Sequence, residues 1–230
     1  MINVLHMNKR YYILLLLLGC FSFTALAQQD NSIREFSIGP SGGVNFSRVN
    51  FQPKVSESML MQYNMGVMAR YIGDKYVGLQ LEVRYSKQGW KESFPVGSTA
   101  QYSHSIDYID IPFMTHICTN GKRFQFFLNL GPQIGFAIGD KETYNFGADE
   151  KPNDRENAQH GMAIKNKFNW GLCGGPGIEL KTGIGNFLLE GRVFFGLSDI
   201  FGNKKEDHFA ASSNMNVSAN FTYLIPIKRR

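Results

Sequence analysis

The stretch "HFAASSN", His208–Asn214, is the best candidate in this sequence for a nucleophile with its base. A serine becomes nucleophilic when a base lies within hydrogen-bond reach. His208 with Ser212 or Ser213 is therefore the pair to weigh for catalysis. Its spacing is poor for a dyad, and the stretch reads as a polar loop. His104 and Asp107 are three residues apart in an alternating segment, so they fall on opposite strand faces. The segment Asp140–His160 is rich in carboxylates but lacks the spacing of a calcium loop. Cys118 and Cys173 show neither metal-ligand spacing nor a redox pair, and read as two unpaired thiols. No catalytic residue, metal site or cofactor is expected, and the chain reads as non-enzymatic.

A second set of chemical groups is more regular. In "YVGLQLEVRYS", Tyr76–Ser86, the residues Val77, Leu79, Leu81, Val83 and Tyr85 fall on one face of a strand. Glu82 and Arg84 fall on the other. The same alternation puts Arg70, Asp110, Glu179, Glu190 and Arg192 on the polar faces of other strands. These seven charges, Arg70, Glu82, Arg84, Asp110, Glu179, Glu190 and Arg192, are expected to share one interior and to pair there. A charge buried without a partner is costly.

The elements that must position them are eight alternating strands. They read as Glu35–Phe46, Gln62–Ile72, Tyr76–Ser86, Tyr108–Ile117, Arg123–Phe136, Lys167–Leu180, Asn186–Ser198 and Asn214–Ile227. Long connections alternate with tight ones such as "IGDK" and "CTNGK", where Gly73-Asp74 and Asn120-Gly121 are expected to supply positive φ. The polar faces are mostly Asn, Gln, Ser and Gly with single charges of both signs, unlike a soluble exterior rich in Lys and Glu. Tyr71, Phe124, Phe187 and Tyr223 mark one end of the apolar faces. Phe46, Tyr63, Phe168 and Trp170 mark the other. The expected fold is all-β: an eight-stranded antiparallel up-and-down transmembrane barrel with short periplasmic turns and long extracellular loops. Gly39-Pro40, Gly131-Pro132 and Gly175-Pro176 are expected to shape it through bulges or bends.

Residues 1–27 read as a cleaved signal peptide: Lys9 and Arg10, then an apolar run ending at Ala25-Leu26-Ala27. Lipidation at Cys20 is the competing reading. Residues 28–34 would be a short periplasmic segment and 35–230 the barrel domain. The formal charge of +5 falls to +3 without Lys9 and Arg10, too mild and too scattered for nucleic acid. Outer-membrane lipid is the expected surrounding, and protein partners would meet the loops or turns.

The segments "IGPSGGVNFS" (Ile38–Ser47), "YVGLQLEVRYSKQGW" (Tyr76–Trp90), "YIDIPFM" (Tyr108–Met114), "FFLNLGPQIGF" (Phe126–Phe136) and "FNWGLCGGPGIEL" (Phe168–Leu180) together resemble the PorT family of outer-membrane β-barrel proteins of Gram-negative bacteria. The resemblance implies an eight-stranded barrel in the outer membrane over nearly all of residues 35–227. It implies no catalytic residues. It makes a structural or partner-binding role, associated with protein secretion or envelope assembly, the leading expectation. A lipid-modifying barrel enzyme and a soluble periplasmic binding barrel are the alternatives. The terminal "PIKRR" departs from the aromatic C-terminus common in such barrels.

Overall fold

The computed structural model describes residues 35–94, 99–146, 159–202 and 209–229. The proposed signal peptide, the 28–34 segment and His208 lie outside these residues. Nine strands follow in chain order: β1 (Glu35–Gln52), β2 (Glu57–Ser58), β3 (Leu60–Ile72), β4 (Val77–Glu92), β5 (Gln101–Cys118), β6 (Phe124–Asn145), β7 (Phe168–Lys181), β8 (Asn186–Asp199) and β9 (Ala211–Arg229). All pairings are antiparallel between neighbours, β1 pairs with β9, and a β4–β5 ladder closes the ring. Eight strands make the wall; β2 is a two-residue addition to the end of β4.

The register fixes the barrel's shape. A path from Tyr71 across Leu79, Thr115, Leu130, Gly174, Val193, Val217 and Phe46 returns to β3 at Met61, ten residues from its start. A ten-residue stagger over eight strands corresponds to a tilt of about 40°. Such a barrel is just wide enough for side chains to fill. Tight closure also explains the Gly-Pro steps. A Cβ on Gly39, Gly131 or Gly175 would stand 1.8, 2.0 or 1.8 Å from a carbonyl of the adjacent strand. The glycines permit close approach, and the ladders β1–β3 and β6–β7 run through these steps without a register shift. The register shifts lie at Phe36/Ser37, Asp107/Tyr108 and Phe195/Asp199; at the Gly-Pro steps the ladder on the other side of each strand, β1–β9, β5–β6 and β7–β8, is interrupted for two residues without a shift.

The exterior is apolar and the interior polar. Val77, Leu79, Leu81 and Val83 are 44–50 % exposed, while Gln80, Glu82 and Arg84 beside them are at most 1 % exposed. The same inversion holds around the ring, from Val67 and Phe113 to Leu172 and Phe221. Water would not tolerate this arrangement, and a hydrocarbon layer favours it. From Val77 to Tyr85 the tilted strand rises roughly 20 Å, close to the height of a transmembrane apolar band. The soluble binding barrel, which needs its apolar face inside, is ruled out by this facing.

Two local expectations also change. Among the described residues only Gly89, Gly161 and Gly185 have positive φ, so Gly73-Asp74 and Asn120-Gly121 turn without it. Gly121 is needed for space: a Cβ would stand 1.6 Å from the Phe124 carbonyl oxygen. The strands are longer than expected at the loop end. β1 runs on to Gln52, β4 to Glu92 and β6 to Asn145, and β5 starts at Gln101.

Candidate functional site

Each polar lumen residue is placed by alternation on a strand whose opposite face is apolar. One interaction is a buried triad. Glu190 and Arg192, two residues apart on β8, face inward together, and Arg192 Nε and Nη2 donate to the two Glu190 oxygens at 2.9 Å each. Arg192 Nη1 donates to Glu82 Oε2 at 2.8 Å, and the Ser41 hydroxyl donates to Glu82 Oε1 at 2.6 Å. Nearer the turn end, Arg70 grips Glu179 through two bonds of 2.9 and 2.6 Å, with Gln125 Nε2 adding a third at 3.2 Å. Glu35 lies 3.9 Å from the same guanidinium. Bidentate, charge-assisted geometry of this kind is both strong and directional.

Arg84 is held differently. Its Nε lies 3.8 Å from Asp110 Oδ2, and its Nη2 donates to Gln133 at 3.4 Å. Asp110 accepts a 2.8 Å bond from Gln88. All seven charges named from the sequence therefore lie inside the barrel, but Glu82 is bonded to Arg192 and not to its strand neighbour Arg84. Alternation gives the face; it does not give the partner across the lumen.

Between and above the charges the lumen is filled by other means. Met68, Cys118, Phe127, Leu188 and Leu224 form one apolar cluster, and Met114, Cys173 and Phe194 another. Both cysteines are free and buried. An amide ladder joins Asn64 to Asn45 (2.8 Å) and Asn220 (3.0 Å), with Asn45 reaching Ser86 at 2.9 Å. At the loop end the inward face turns apolar. Val49, Phe51, Trp90, Tyr102, Ile106, Tyr108, Ile200, Phe201 and Phe209 close over the polar layers as a cap. Phe51 packs edge-on to Trp90 at 5.3 Å, and against Phe209 at 4.9 Å.

Sequence reasoning missed this cap. The signal was present: Val49 and Phe51 keep the parity of inward Asn45 and Ser47. That parity is polar up to Ser47, so the contrast between the two faces is lost at Val49 and Phe51.

Of the catalytic candidates, His208 lies outside the described residues. Ser212 is 1 % exposed, and its hydroxyl accepts from the Phe201 N–H at 3.0 Å. His104 stays away from Asp107 and instead contacts Asp140 at 2.9 Å and Glu142 at 3.2 Å, with its ring 4.7 Å from Trp90. The Tyr102 hydroxyl donates to Glu142 at 3.0 Å, and burial beside that carboxylate drives the phenol well above its ordinary range. Glu57 stands opposite Glu92 in the β2–β4 ladder, and burial pushes its carboxyl up to about 7 against the pull of Arg48 and Lys54. Among the described residues no group of three His, Cys, Asp or Glu side chains is placed to hold a metal ion.

The family model described as outer membrane protein beta-barrel domain matches residues 26–202. Comparison with curated proteins gave no match. Among solved structures the chain is similar to the outer membrane protein OprG from Pseudomonas aeruginosa, at 14 % identity and a TM-score of 0.45, covering 84 % of this chain and 95 % of that one. It is similar to Ail, the attachment invasion locus protein of Yersinia pestis, solved with the heparin analogue sucrose octasulfate, at 12 % identity, a TM-score of 0.40 and coverage of 83 % and 99 %. It is also similar to the outer membrane protein AlkL in lipid bilayers, at 12 % identity, a TM-score of 0.39 and coverage of 87 % and 95 %.

Proposed function

This chain belongs to the outer membrane protein β-barrel domain family, and we propose that it works in the outer membrane as a closed, non-enzymatic barrel that binds partners at its ends. The observation that carries this reading is the filled lumen. The Arg70–Glu179 pair, the triad at Arg192 and the nine-residue aromatic and aliphatic cap occupy it in succession. A side-chain-filled barrel of eight strands leaves no aqueous route. Purified protein in planar bilayers should therefore give no stable channel; steady, ion-selective conductance would make transport the leading function instead.

The strands that resemble the PorT family support an association with protein secretion or envelope assembly. In this reading the long connections face outward and the tight turns face the periplasm. Cysteines at Lys141 and Asn120, both exposed, test the orientation in intact cells with an impermeant thiol reagent. Asn120 is the better turn position, because any side chain at Gly121 meets the Phe124 carbonyl. Label is expected at Lys141→Cys alone. Label at Asn120→Cys alone would reverse the barrel.

A further inference from the structure

At the turn end the inside of the barrel opens into a cavity of about 300 Å³. That volume is at the lower end of small-molecule clefts. We propose that this mouth binds a phosphate ester, held at the rim by three lysines.

The floor of the cavity is the last inward row of the strands. Glu35, Ile72, Cys118 and Gln125 line it, each at most 7 % exposed. They keep the inward parity of Ser37, Arg70, His116 and Phe127. The rim comes from the tight turns. Lys75 lies in the β3–β4 turn and Lys122 in the β5–β6 turn, both exposed. Lys181 ends β7 on the inward parity of Glu179, at the threshold of the third turn. One lysine thus stands at each tight turn, and all three line one cavity. Among the described residues no carboxylate pairs with any of the three, and Lys75 lies over the Tyr76 ring at 5.4 Å. Asp74 is the rim's own carboxylate. Glu35, on the floor, accepts from Ser37 at 3.0 Å and Asn186 at 3.3 Å, and lies 3.9 Å from Arg70.

The backbone of the rim is fixed before any ligand arrives. The Cys118 N–H donates to the Tyr76 carbonyl at 2.8 Å, Thr119 to Phe126 at 2.9 Å, and Lys181 to Arg123 at 2.9 Å. Such ordering lowers the cost of binding. The charge of the rim selects the ligand. A cation would meet three like charges, and an apolar group would find Ile72 as its only aliphatic wall. A carboxylate is best gripped by the planar fork of an arginine, and no arginine lines this cavity. A phosphate spreads its charge over several oxygens, which point charges from three directions can share. Glu35 repels it from the floor and leaves it among the lysines. A soluble phosphate ester and a lipid headgroup present this same chemistry, so both are tested.

The full protein is studied in dodecyl maltoside micelles, whose headgroup carries no phosphate. Calorimetric titration with glycerol 3-phosphate is one arm, and native mass spectrometry after addition of phosphatidylglycerol is the other. Binding of glycerol 3-phosphate is expected. The double variant Lys122→Gln, Lys181→Gln should weaken it about tenfold, and Lys141→Gln, toward the loop end, should leave it unchanged. Heat modifiability on gels checks that each variant folds. If the double variant does not fold, Lys122→Gln alone, on an exposed turn, should still weaken binding, by a smaller factor. Retention of phosphatidylglycerol without binding of glycerol 3-phosphate, lost in the double variant, would place the phosphate on a lipid headgroup. No binding in either arm, binding of succinate in place of the phosphate ester, or undiminished binding in a folded lysine variant overturns the proposal. The site rests on the reading that the barrel binds at its ends, but not on a closed lumen. A barrel that conducted and still bound glycerol 3-phosphate would defeat the closed barrel and leave this site standing.

Discussion

Arg192→Met is expected to destabilise the barrel by about 3–5 kcal/mol, because it leaves buried carboxylates without their cation. Glu82 and Glu190 are 1 % and 2 % exposed, and Arg192 bonds to both. The Ser41 hydroxyl remains for Glu82 but cannot neutralise it. Urea titration of protein refolded into lipid vesicles measures the loss. The combined variant Arg192→Met, Glu82→Gln, Glu190→Gln should recover most of it, since no charge is then stranded. A cycle between Arg192 and Glu82 should show a coupling of about 0.5–3 kcal/mol. A single replacement that costs no more than the triple would mean that this lumen is hydrated and its charges are solvated.

The second large effect is on the outside. Leu81 is 44 % exposed in the middle of the Val77–Tyr85 face. Leu81→Arg should cost about 2–4 kcal/mol, as a cation at the bilayer midplane does. Ile138, 61 % exposed and two residues beyond the Phe136–Phe168 aromatic pair, is equally apolar and equally outward. It lies toward the loop end, so Ile138→Arg should cost about 0–1 kcal/mol. Equal costs at the two positions, in the same vesicle refolding assay, would mean that the belt is misplaced along the strands.

The contrast between these two tests reflects what the sequence makes legible. Facing is a local property with a period of two, so Leu81 outside and Glu82 inside follow from "LQLEVRY" alone. Eight wall strands and the alternation of loop lengths follow from the same count. Pairing across a lumen is not local. Glu82 meets Arg192, 110 residues away, through a stagger that no single strand encodes. The strand ends were hidden for another reason. Alternation is recognised by contrast between faces, and the contrast vanishes where the inward face itself becomes apolar, as at Val49, Phe51 and Trp90.

The central claim is that apolar faces meet lipid while polar and capped faces fill the interior, and the two native tryptophans report on it directly. Trp170 is 47 % exposed on the outer face of β7, and Trp90 is 0 % exposed within the cap. Trp90→Phe leaves Trp170 as the sole tryptophan, and Trp170→Phe leaves Trp90. In vesicles of phosphatidylcholine brominated on its acyl chains, the emission of Trp170 should be strongly quenched and that of Trp90 should not. Quenching of Trp90 with Trp170 spared would mean that the barrel faces the other way, and the account would fail.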